Sequence, residues 1–132
     1  MRDMTQAIMT GTRLPQDLEN LKAKARTYPM VKDLAVDIAA IRGEPVGPES
    51  YRLELSGAIA VATKLLLRPR FDVVGEGVLD AGTRRLRVSS VRVTNDPTGL
   101  LNKLAGWVGL GVGQEVGIND EAIGVIRSEL GA

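Results

Sequence analysis

Between Tyr51 and Thr63 the apolar residues fall on alternate positions. Leu53, Leu55, Ile59 and Val61 share one parity and Arg52, Glu54 and Ser56 take the other, which predicts a half-buried strand over 51–63. Ala58, Ala60 and Ala62 make its second face small and apolar as well, implying close cover there and a central place in a sheet. Extended structure continues over 65–79, with Pro69 limiting where it can pair. Asp80-Ala81-Gly82-Thr83 then reads as a turn, and 85–93 returns as the second arm of a hairpin. Within RLRVSSVRV, Leu86 and Val88 are even-numbered while Val91 and Val93 are odd. A bulge near Ser89-Ser90 would return all four to one face.

Helical spacing dominates elsewhere. Pro15 opens a segment in which Leu18, Leu21 and Ala25 recur among charged residues, predicting an amphipathic helix over 15–27 that Tyr28-Pro29 ends. Asp96-Pro97 caps and starts a second helix, 97–109, with Leu100, Leu101, Leu104, Trp107 and Val108 along one face. Asn119 caps a third over 120–130, with Ile118 and Ile123 spaced as a hydrophobic staple. The stretch VKDLAVDIAAIRG fits two templates. Leu34, Val36 and Ile38 alternate as in a strand, whereas Val31, Leu34, Ile38 and Ile41 recur as on a helix. The β-branched residues on one face, and a loop signal over 43–48, favour the strand.

These elements define an α+β class: one domain over 1–132, an antiparallel curved sheet of about four strands, and amphipathic helices at 15–27, 97–109 and 120–130. Residues 1–14 read as a flexible N-terminal segment.

Aromatic residues make up 3% of the chain, so its core must be aliphatic. With neither Cys nor His, thiolate chemistry, cysteine zinc sites and the commonest neutral-pH general base are excluded, and no cofactor or metal is expected. A formal net charge of +1 and few aromatics argue against nucleic acid as a partner. The opening MRDMTQAIMTGTRLPQ lacks the apolar core of a signal peptide, and no apolar run approaches the roughly 20 residues of a spanning helix. A cytoplasmic location is expected for the chain as it stands, and the cell envelope if a signal segment has been removed.

The glycine-rich GWVGLGVGQEVG, 106–117, resembles a phosphate loop only superficially. Gln114 stands where a dinucleotide fingerprint needs its third glycine, and a predicted helix precedes the segment where a strand is required. A hinge or close-packing segment is the better reading. Arginines concentrate over 68–92; Arg68, Arg70, Arg85 and Arg87 are candidates to fork onto an anion or lipid head group, the alternative being a solvated, charge-balanced sheet face. The carboxylate pairs Asp33/Asp37 and Asp72/Glu76 read as surface residues, and Asn119-Asp120-Glu121 as a helix cap rather than a metal cluster.

The stretch LSGAIAVATKLLLRPRFDVVGEGVLDAGTRRLRVSSVRV, with long alternating strands, a Phe-Asp before a glycine-rich turn, and a last strand feeding a helix, resembles the tubular lipid-binding superfamily and small bacterial lipid-binding lipoproteins over residues 51–110. That resemblance implies a curved sheet around a helix, with acyl chains held in an apolar groove. Leu55, Ile59, Val61, Phe71, Val73, Leu101, Leu104 and Trp107 would line it. The expected function is a non-enzymatic domain that binds a lipid or apolar ligand or a membrane surface. The alternative is a structural or assembly module that forms a homo-oligomer or binds a partner protein through its strands or the Trp107 helix. An enzyme relying on Asp, Arg or Lys is a third and weaker reading.

Overall fold

The computed structural model describes residues 3–65, 69–94 and 111–130. Its elements run α1 (Met4–Gly11), α2 (Leu14–Ala25), β1 (Val31–Gly47), β2 (Ser50–Thr63), β3 (Arg70–Asp80), β4 (Arg85–Val93), β5 (Glu115–Gly117) and α3 (Asp120–Leu130). The strands form one antiparallel sheet in the order β1-β2-β3-β4-β5. The α+β class therefore holds, with a fifth, three-residue strand added to the four expected. The helix expected over 97–109 lies outside the described residues.

Bulges reconcile the sequence pattern with the sheet. In β1 the register shifts between Val31 and Asp33, between Ile38 and Ala40, and between Pro45 and Gly47. Each extra residue reverses the parity of the next stretch, so Val31, then Leu34, Val36 and Ile38, then Ile41 all turn to the same side. The apparent helical spacing of VKDLAVDIAAIRG comes from a bulged strand. In β4, Gly77 pairs with Val88 and Glu76 with Ser90, which leaves Ser89 as the extra residue and brings Leu86, Val88, Val91 and Val93 to one face as expected.

Two boundaries differ from the expectation. The loop expected over 43–48 is strand almost throughout, because β1 is an edge strand and tolerates Pro45, which lies opposite Tyr51. Pro48 and Glu49 alone connect β1 to β2. Extended structure is also interrupted after Thr63 by a turn at Lys64-Leu65, and β3 begins at Arg70.

The helices cover one face of the sheet. Asp3 caps α1, its carboxylate accepting from the Gln6 amide at 2.7 Å, and Met4, Ala7 and Ile8 are buried. This helix was not expected, although Met4, Ala7 and Ile8 stand at helical spacing. Asn119 Oδ1 accepts from the Ala122 amide at 2.9 Å, the cap expected for α3, and Ile118 and Ile123 are both buried beside it. At one end of the sheet α1 and α3 pack with Tyr51, Leu53 and Leu79; at the other, Leu21 and Ala25 of α2 pack with Leu34 and Ile59. Two cores, mainly aliphatic with Tyr51 buried in the first, thus occupy opposite ends of a single sheet face.

Gly113, with φ +84°, turns the chain back towards the sheet. Its amide donates to Val88 O at 2.7 Å, the Val88 amide donates to Gln114 O at 2.9 Å, and β5 follows along β4. A turn of the kind expected of the glycine-rich segment is seen at Gly113, whereas Gly117 lies in β5; Gly106 and Gly109 lie outside the described residues.

Candidate functional site

Between the two cores the sheet's inward face is depleted of side chains. Gly57, Gly75 and Gly77 share the inward parity of Leu53, Leu55, Ile59, Val73 and Leu79, and they lie side by side across β2 and β3: Leu53 opposite Gly77, Leu55 opposite Gly75, Gly57 opposite Val73. A Cβ on Gly57 would come within 2.4 Å of Asp37 O, so glycine there lets the bulged β1 approach β2. Gly75 is different: a Cβ built on it meets none of the described residues within 4 Å.

The missing side chains leave a cavity of about 190 Å³, open on one side among the described residues. Gly75 and Leu55 form its floor. Leu18 and Leu21 of α2 form one wall, and Val36 and Val91 the flanks. The lining is almost wholly hydrocarbon. Thr12 reaches it, but its hydroxyl donates to Ile8 O at 2.7 Å and accepts from the Leu14 amide at 3.1 Å, so its hydrogen-bonding capacity is largely used. Asp37 and Glu76 border the cavity from strand positions whose side chains alternate to the outer face, where Glu76 pairs with Arg92 at 3.6 Å. A site of this kind recognises shape and apolar surface.

Of the residues expected to line a groove, Leu55, Ile59 and Val73 do so. Val61 and Phe71 share the inward face but pack beside the α2 core, away from the cavity lining. Leu101, Leu104 and Trp107 lie outside the described residues, as does Arg68. Arg70, Arg85 and Arg87 are exposed on the outer face. There Arg85 stands opposite Asp80, and Arg87 opposite Glu115. Sequence reasoning missed the α2 wall, the β1 flank and above all the glycine floor. The shared parity of Gly75, Gly77 and Leu79 was the available signal, since alternate glycines on a core-facing parity leave the core unfilled.

Among the described residues no group of three metal-ligating side chains occurs, and no helix is long and apolar enough to cross a membrane. Asp33 and Asp37 are exposed, Asp33 lying 3.9 Å from Arg26. Asp17, in the first turn of α2, is buried, and desolvation raises its pKa above the usual carboxylate range against an opposing pull from Arg13. Comparison with family models, curated proteins and solved structures finds no match to this chain.

Proposed function

We propose that the chain is a non-enzymatic binding protein that holds an apolar, lipid-like ligand in the groove over Gly75. One observation carries this reading: among the described residues, an apolar cavity of about 190 Å³ lies between the two cores, over a glycine whose side-chain position none of those residues fills. Apolar cavities of about 150 Å³ stay dry and admit a benzene-sized molecule. This groove, open on one side among the described residues, therefore takes one ring of a larger aromatic molecule or one short hydrocarbon segment, with the rest of the ligand left outside. The resemblance of residues 51–110 to tubular lipid-binding proteins supports hydrocarbon as the ligand class.

The test is displacement of the neutral fluorophore N-phenyl-1-naphthylamine by straight-chain alcohols of increasing length, with native mass spectrometry of the protein as purified. Affinity should rise by about 0.8 kcal/mol, roughly fourfold, per methylene, and then level off when the groove is full. Affinity independent of chain length, or a ligand-free oligomer of defined size in which the fluorophore does not bind, would overturn the reading. The second result would favour an assembly module.

A further inference from the structure

The end of the sheet beyond the α2 core carries two large exposed apolar side chains on adjoining segments. Met30, in the turn between α2 and β1, is 48% exposed, and Leu65, just after β2, is 66% exposed. The Lys64 amide donates to Met30 O at 3.1 Å and Val31 pairs with Thr63, so the two segments are held together. Both side chains are therefore presented at a single tip.

Cations outnumber carboxylates around this tip, where Asp33 and Asp72 are the acidic neighbours. Arg26 ends α2, Lys32 sits at the first bulge of β1, Lys64 precedes Leu65, and Arg70 opens β3 beside Pro69, whose carbonyl accepts from the Val61 amide at 2.9 Å. All four cations are exposed. Asp33 lies 3.9 Å from Arg26, whereas no carboxylate of the described residues pairs with Lys32, Lys64 or Arg70. At the opposite end of the sheet three cations are matched, Arg52 with Glu44, Arg84 with Asp120 at 2.8 Å, and Arg127 with Glu49 at 2.6 Å, while Arg85 and Arg87 stand opposite Asp80 and Glu115 in the register.

Exposed aliphatic side chains ringed by unmatched cations suit an anionic bilayer surface: the apolar groups enter the head-group boundary while the cations meet lipid phosphates. We propose that the Met30–Leu65 tip docks on anionic phospholipid, flanked by Lys32, Lys64 and Arg70. It shares none of these residues with the groove, so the two assignments stand or fall separately. A tip of this kind would place the α2 end of the groove near a source of hydrocarbon.

Co-sedimentation with mixed phosphatidylcholine/phosphatidylglycerol vesicles tests the assignment, with pure phosphatidylcholine vesicles as the comparison. The protein should partition onto the mixed vesicles more strongly, and added salt should weaken that partition. Met30→Asp, Leu65→Asp and Lys64→Glu should each reduce it about tenfold. These positions are exposed, so circular dichroism and thermal midpoints should stay near those of the parent protein. Val46→Asp, at a residue 53% exposed in the far end of β1, should leave partition unchanged. Equal loss in Val46→Asp, or no preference of the parent protein for anionic vesicles, would overturn the proposal. So would a dimer that Leu65→Asp dissociates without any vesicle binding, since the tip would then join two copies of the chain. Loss of fluorophore binding with vesicle binding intact would defeat the groove reading alone.

Discussion

Gly75 lies in mid-strand on the inward face, between Val73 and Gly77, and none of the described residues occupies the space that a side chain there would fill. Leucine there should enter the cavity without displacing any of the described residues. Full burial of a leucine contributes about 1.5–3 kcal/mol; because the groove is open on one side, the lower end of that range applies. Removing a strand glycine contributes about 0.5–1 kcal/mol more, and ordering the new side chain costs about 0.5–1 kcal/mol. The net is a stabilisation of about 1–2 kcal/mol, which for a chain of 132 residues raises the thermal midpoint by about 4–8 °C. The same side chain occupies the volume assigned to ligand, so affinity for N-phenyl-1-naphthylamine should fall at least tenfold. Thermal unfolding followed by circular dichroism, beside a fluorescence titration, reads both effects. Opposite signs are the diagnostic, because most single substitutions destabilise and a merely damaged protein would lose both properties. If Gly75→Leu lowers the midpoint, the space over Gly75 is not vacant in solution; if it binds the fluorophore as the parent does, the groove is not the site.

Two further predictions concern the frame that holds the groove open. Gly57→Ala would place a Cβ within 2.4 Å of Asp37 O, a backbone atom that cannot swing aside. The substitution should cost about 1–3 kcal/mol, seen as a lower denaturation midpoint in urea. Burial raises the pKa of Asp17, so the folded state holds its proton more tightly than the unfolded chain, and stability drains away as pH rises through the carboxylate range. Asp17→Asn should therefore melt higher than the parent at pH 7, with the gap closing below about pH 3; a gap that persists in acid would show that the carboxylate's charge is not its cause.

Local patterning carried much of the fold. The alternation of 51–63 and 85–93, the Ser89 bulge, the Asn119 cap and the staple beside it are near-neighbour effects, and each forms where the spacing of residues puts it. Two readings were distorted by neighbouring strands. In β1, bulges against β2 gave a strand the apolar spacing of a helix, and an edge position let the strand run through Pro45. In β5, three residues pair only because the Gly113 turn brings them alongside β4.

The site shows the division most clearly. The chain by itself determined an aliphatic α+β protein without thiol or imidazole chemistry, and it marked Leu55, Ile59 and Val73 as inward-facing, because composition and strand parity are local properties. Only the tertiary structure decided that, among the described residues, an open space lies between them. A groove exists where Gly75 in β3, Leu55 in β2, Val36 in β1 and Leu18 in α2 face one another across a gap that none of them fills, and that gap depends on the distance between elements far apart in the chain.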